Sequence, residues 1–126
     1  MPPGVESLAT ASTTPMDRER FQDLLNDTFS DMRELTATKG REYAGSDDQL
    51  ANFKRLGKAL RMAPEAILFV YLTKHLDSIT TYVRELQEHE LSEPIDGRID
   101  DAILYLILLK GLTFERRYAK REINES

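Results

Sequence analysis

Charged and aromatic residues lying within helical apolar patterns mark where this chain could do chemistry, because burying a charge without a partner is expensive. Three places qualify. The first is residues 39–53, KGREYAGSDDQLANF, which sets Lys39, Arg41, Glu42 and Tyr43 beside a helix start, with Asn52 and Phe53 about a turn further on. A helix N-terminus is partly positive and offers free N–H groups, so such a junction can hold phosphate. The same residues also make a capped helix–helix turn whose charges are solvated.

The second place is Lys74, His75 and Asp77 in YLTKHLDSI. Lys74 and Asp77 are three residues apart and share a helix face. Asp77 could ligate a divalent ion while Lys74 neutralises phosphate oxygens. An intrahelical ion pair beside a packed histidine explains them without a ligand. The third is Glu93, Asp96, Asp100 and Asp101. Glu93, Asp96 and Asp100 form one carboxylate stripe, and acids in a first turn are ordinary dipole partners. Asp101 turns toward Gly97 and Tyr105 and stands about two turns into its helix, beside the most apolar segment of the chain. Either a metal or ligand role, or a buried salt bridge to Arg98 or Lys74, accounts for it.

Helices must position these residues. Met1–Pro15, rich in Ser, Thr and Ala, has no hydrophobic period and is expected to form a disordered tail over 1–16. A first helix is expected from about Asp17 to the late thirties or Tyr43, with Phe21, Leu24, Leu25, Met32 and Leu35 as its apolar stripe and Gly45 as its stop. A second begins with Ser46 as N-cap and Gln49 at the capping-box position, its stripe being Leu50, Phe53, Leu56 or Gly57, and Leu60. The third opens at Pro64 and runs to about Gln87, with Phe69, Leu72, Leu76, Ile79, Val83 and Leu86 as a sustained face. The fourth starts near Ser92–Pro94. Its segment Ala102–Leu109 is apolar on every side, which predicts the central helix, while Phe114–Ser126 is basic and polar and is expected to fray or project. No hairpin dipeptide or alternating β-branched run appears. The reading is all-α: a four-helix bundle-like single domain over 17–126.

Composition narrows the function classes. The chain has 126 residues, enough for one domain. Lys plus Arg is 17 against 22 for Asp plus Glu, a net charge of −5, which argues against direct duplex nucleic acid binding. There is no cysteine, which removes thiolate metal sites and cysteine nucleophiles, and only two histidines, His75 and His89. The longest apolar run has eight residues, short of the roughly 18 a membrane span needs. With no secretory pattern at its start, the chain reads as a soluble intracellular protein. Gly-rich phosphate loops, GxSxG, His-Glu-x-x-His and EF-hand loops are missing from the sequence.

Taken together, Lys39-Gly-Arg-Glu-Tyr43, Asn52-Phe53, Lys74-His75-x-Asp77-x-Ile79, and Glu93-Pro94-Ile95 with Arg98, Asp101 and Tyr105 resemble the nucleotide-modification-associated domain 1 family. Its members are small proteins common in bacteriophage genomes, often labelled MazG-like. Glu42 stands where that family usually has Asp, and Leu104 where it often has Asn. The resemblance implies a role around phage nucleotide metabolism or DNA-base modification, in the cytoplasm of a bacterial host. Glu85-x-x-Glu88 and Glu93-x-x-Asp96 spell the carboxylate pairs of all-α NTP pyrophosphohydrolases, but they flank a turn instead of lying mid-helix.

The expected function is therefore nucleotide-phosphate binding, with Mg²⁺ held by Asp77, Asp101 and Glu42. Lys39, Arg41 and Lys74 would neutralise phosphate, with Tyr43 or Phe53 against the base and Asn52 and His75 nearby. Hydrolysis, if it occurs, would use a metal-bound water. The alternative is a non-catalytic homo-oligomer that sequesters a signalling nucleotide or a host protein, since a wholly apolar fourth helix exceeds what a four-helix monomer buries.

Overall fold

The computed structural model describes residues 14–42, 48–86 and 95–125, the side chains of 39–42 and 125 excepted. Among them are four helices and no strand: α1 Arg18–Glu42, α2 Ala51–Leu60, α3 Pro64–Arg84 and α4 Ile95–Glu125. The protein is all-α. Where the sequence reads as one domain over 17–126, the chain divides into two compact units, Met1–Glu34 and Leu35–Ser126, with the boundary inside α1. Residues 1–13 of the tail expected over 1–16, the Gly45 stop, the Ser46 cap, Gln87 and Ser92–Pro94 lie outside the described residues.

In the first unit Asp17 caps α1: its Oδ1 accepts the Arg20 N–H at 2.8 Å and its carbonyl takes Phe21 N–H at 2.9 Å. Along the expected stripe Met32 is buried, whereas Phe21 and Leu24 are exposed.

In the second unit α2 starts at Ala51, five residues beyond the expected cap. The carboxylate that organises this start is Asp48, whose Oδ1 accepts Leu50 N–H at 2.9 Å while its carbonyl takes Ala51 N–H. The helix ends in a Schellman turn. Arg61 adopts the left-handed conformation at φ 55°, and Met62 N–H reaches back to the Gly57 carbonyl at 2.8 Å. Leu60, expected in the stripe, is exposed, because the chain leaves the helix there. A left-handed conformation costs an L residue roughly 1–2 kcal/mol, part of which glycine's looser unfolded chain offsets. Arg61→Gly should therefore raise the unfolding free energy by about 0.5–1 kcal/mol, seen as a higher urea midpoint at unchanged slope.

Pro64 opens α3 at its first turn, after the extended Ala63, where a missing N–H leaves nothing unpaired. α3 packs on both α2 and α4 and so takes the middle place in this unit. Leu50, Phe53, Ile67, Leu68 and Leu112 form the core, with Leu56, Tyr105, Leu108 and Leu109 against it. The expectation that α4 is central is corrected. Its Ala102 and Leu104 are buried, but Leu106 and Ile107 are exposed, because the apolar run circles the helix while the packing in this unit covers only part of its circumference. The six-residue face read along α3 also divides: Leu72 is buried, whereas Phe69, Leu76, Val83 and Leu86 are exposed. Beyond Leu112, α4 stays helical to Glu125 with its described side chains exposed, so of the two expectations for this end it projects and does not fray.

Two surface ion pairs tie α4 down. Lys54 of α2 bonds Asp48 at 2.6 Å and Glu115 at 2.8 Å, and Arg116 donates two hydrogen bonds to the Glu65 carboxylate of α3. The Arg116 hydrogen bonds hold Glu65 below the ordinary glutamate value of 4.5, and the Lys54 hydrogen bond holds Asp48 below 3.8. A lowered carboxyl pKa contributes stability that is complete above the unfolded value and is lost as pH falls through the folded one. Melting temperature should therefore drop as pH falls below about 4.5. Glu65→Gln should remove part of that slope; the change is small, because both pairs face solvent.

Candidate functional site

Tyr71, His75, Ser78 and Tyr82 recur along α3 at three- and four-residue steps, and Asp101 and Tyr105 of α4 stand one turn apart. These two rows meet. The Tyr105 ring stacks on Tyr71 with centroids 6.2 Å apart and on His75 at 5.2 Å, and it meets Phe53 of α2 edge-on at 6.3 Å. Phe53 also meets Tyr71 edge-on at 6.1 Å. Four rings from three helices thus make one cluster.

Asp101 sits at the edge of that cluster. Its Oδ2 is 3.8 Å from His75 Nδ1, with the two side chains 28% and 16% exposed. The spacing is too long for a hydrogen bond. His75 Nδ1 is buried and has no hydrogen-bond partner. A buried ring nitrogen left in that state costs free energy, and satisfying it requires a shift of the Asp101 carboxylate or a polar group brought in from outside.

Asp101 also opens onto a groove of about 510 Å³ between α3 and the start of α4, lined by Ser78, Thr81, Tyr82, Ile95, Gly97 and Arg98. Its polar groups are unequal in kind. Ser78 Oγ donates to the Lys74 carbonyl and Thr81 Oγ1 to the Asp77 carbonyl, so both hydroxyls spend their protons on the backbone and turn lone pairs outward. Asp101 is an acceptor when ionised. Among the described residues of the lining, Arg98 is the cationic donor.

The residues singled out from the sequence separate here. His75 and Asp101 come together. Asp77, at 100° per residue, stands about 200° round α3 from His75; it is exposed and does not line the groove, so the expected Asp77–Asp101 pair is replaced by a His75–Asp101 pair. Lys74 is exposed, and no ion pair joins it to Asp77. Phe53 is a core ring and not an open platform, while Asn52 is exposed. Tyr43 and the side chains of Lys39, Arg41 and Glu42 lie outside the described residues. Tyr71, Ser78, Thr81 and Tyr82 were not singled out from the sequence; counting helical steps outward from His75 finds all but Thr81.

Among the described residues no three His, Asp or Glu side chains gather as metal ligands. Magnesium favours oxygen donors in octahedral array, and one carboxylate beside an imidazole nitrogen does not fit a protein-only site for it. Comparison with family models, with curated proteins and with solved structures finds no match for this chain. No helix among the described residues is long and apolar enough to cross a membrane.

Proposed function

We propose that the α3–α4 groove binds a small phosphorylated ligand, with a nucleoside monophosphate matching its chemistry best. The observation that carries the reading is the groove's lining: one guanidinium, Arg98, among hydroxyl and carboxylate acceptors. Arg98 would take the phosphate through its planar fork. Asp101 and the lone pairs of Ser78 and Thr81 would receive the hydroxyl and amino protons of a nucleoside, with Tyr82 and Ile95 as apolar walls. One guanidinium offsets one phosphate group, and a triphosphate needs more cations than the described lining residues supply. Any Mg²⁺ would arrive with the ligand's phosphates and meet one protein carboxylate, Asp101. Ser78 and Thr81 bond carbonyls and not a base, so neither is activated as a nucleophile, and the activity proposed is binding. The resemblance to a phage nucleotide-modification family points the same way, toward a role inside an infected bacterial cell.

Isothermal titration with nucleoside mono- and triphosphates, with and without Mg²⁺, tests this. A monophosphate should give heat, and Arg98→Ala should weaken its binding by about tenfold or more. No heat from any of these nucleotides removes the reading, and mass spectrometry of the recovered ligand separates retention from turnover.

A second reading rests on a different feature. Phe69, Leu76 and Val83 are exposed on α3 at seven-residue spacing, with Leu86 three residues on. Such a seam suits a second copy of the chain, packing as a coiled-coil-like homo-oligomer. Light scattering should then report more than one chain per particle, and Leu76→Lys should return it to one.

A further inference from the structure

The exposed end of α4 carries a feature that the groove does not use. Glu115 and Arg116 fix its orientation, since they bond Lys54 of α2 and Glu65 of α3. At 100° per residue, Lys110, Phe114, Arg117, Tyr118 and Arg121 share a stripe about 100° wide, centred on the side opposite that pair. The stripe therefore faces away from α2 and α3. Phe114 and Tyr118 are each about half exposed, with their rings edge-to-face at 4.6 Å, and the Arg117 guanidinium lies 5.6 Å from the Phe114 centroid. Phe114, Arg117, Tyr118 and Arg121 enclose a notch of about 120 Å³, with no acidic side chain among the described residues of its lining. Residues 110–121 hold five cations (Lys110, Arg116, Arg117, Lys120 and Arg121) and one acid, Glu115, within a chain of net charge −5. Three of these cations, Lys110, Arg117 and Arg121, lie on the stripe beside its two open rings, a surface suited to an anion.

We propose that this stripe binds single-stranded nucleic acid. Open rings alternating with guanidinium groups suit a strand whose base faces are free: bases stack on Phe114 and Tyr118, while Arg117, Arg121 and Lys110 take successive phosphates. Three of the five stripe members are cationic, which leaves too narrow an apolar face for a helix lying in a membrane surface. A duplex hides its base faces, and its denser charge would follow the groove of a larger basic surface than one helix end provides.

The test is a fluorescence anisotropy titration of the full chain against a dye-labelled oligothymidylate at low salt. Saturable binding should weaken with salt at a log–log slope of about −1.4 to −2.1, for two to three phosphate contacts on a single strand. Joint Arg117→Ala and Arg121→Ala substitution should lower that slope. Tyr118→Ala should weaken binding about tenfold, whereas Tyr118→Phe should leave it within about twofold. Because these side chains are exposed, far-UV circular dichroism should stay unchanged in every variant; should Tyr118→Ala lose helix, Tyr118→Leu keeps the bulk without the ring and is read in its place. No binding at low salt overturns the proposal. So does equal affinity for Tyr118→Ala or Tyr118→Leu, equal affinity for polyglutamate, or tighter binding to a duplex of the same length or to anionic lipid vesicles.

Discussion

Leu68→Ala should lower the unfolding free energy by about 3 kcal/mol, the largest loss from truncating any single aliphatic side chain here. Leu68 is fully buried, and it is the one large side chain among the described residues with less than 2% of its surface exposed. It projects from α3, the helix with packed neighbours on two sides, into a cluster with Leu50, Phe53, Ile67 and Leu112. Removing three carbons there costs both their transfer from water and the void left behind, and neighbours held from different helices cannot all close on it. Natural domains of this size hold only about 5–15 kcal/mol in total, so the variant should unfold at a markedly lower urea midpoint with an unchanged slope. Leu60→Ala, at a position 61% exposed, is the matched control and should fall within about 0.5 kcal/mol of the parent. A loss below about 1 kcal/mol for Leu68→Ala would show that this core is not where the unit is held together.

Tyr105→Ala should cost about as much, near 3 kcal/mol, for a different reason. Its ring is the shared member of the aromatic cluster, touching Phe53, Tyr71 and His75 at once. Aromatic pairs add about 0.5–1.5 kcal/mol each beyond their buried area, and this truncation breaks three contacts together. The effect reaches the groove, because Tyr105 lies one turn from Asp101 and backs the His75 ring. Nucleotide heat should therefore fall along with stability in Tyr105→Ala. Tyr105→Phe keeps the ring and should hold both within about 1 kcal/mol and twofold of the parent. If Tyr105→Phe abolished the heat while remaining folded, the hydroxyl and not the ring would be the contributing group.

Much of this fold was legible in residue spacing. Pro64 marked a helix start through its missing N–H, and the absence of alternating runs marked the chain as helical. The start of α2 was less legible: the helix opens at Ala51 with Leu50 at its cap position, and the Asp48 carboxylate, tied by Lys54, accepts the Leu50 N–H from two residues earlier. Apolar count misplaced the middle helix. Ala102–Leu109 is the most apolar segment, yet α3 takes the middle place, because position depends on how many neighbours a helix finds and not on its own hydropathy. In the site, Asp101, which the spacing marks as an acid beside an apolar segment, has His75 at 3.8 Å. Asp77 and His75 are two residues apart, and on a helix that separation puts them on nearly opposite sides. Ser78 and Thr81 gave no signal because an isolated hydroxyl in a helix reads as neutral; their importance comes from a groove that only the crossing of α3 and α4 creates.

The placement of α3 between α2 and α4 also sets how the Leu35–Ser126 unit comes apart. Neither flanking helix can be peeled away without uncovering α3, so amide protons around Leu68 and Leu72 should reach solvent only when the whole unit opens. Those beyond Leu112 should exchange through brief local unwinding that leaves the rest intact. One end of α4 can thus be reshaped by whatever it meets, while the hub it hangs from stays closed.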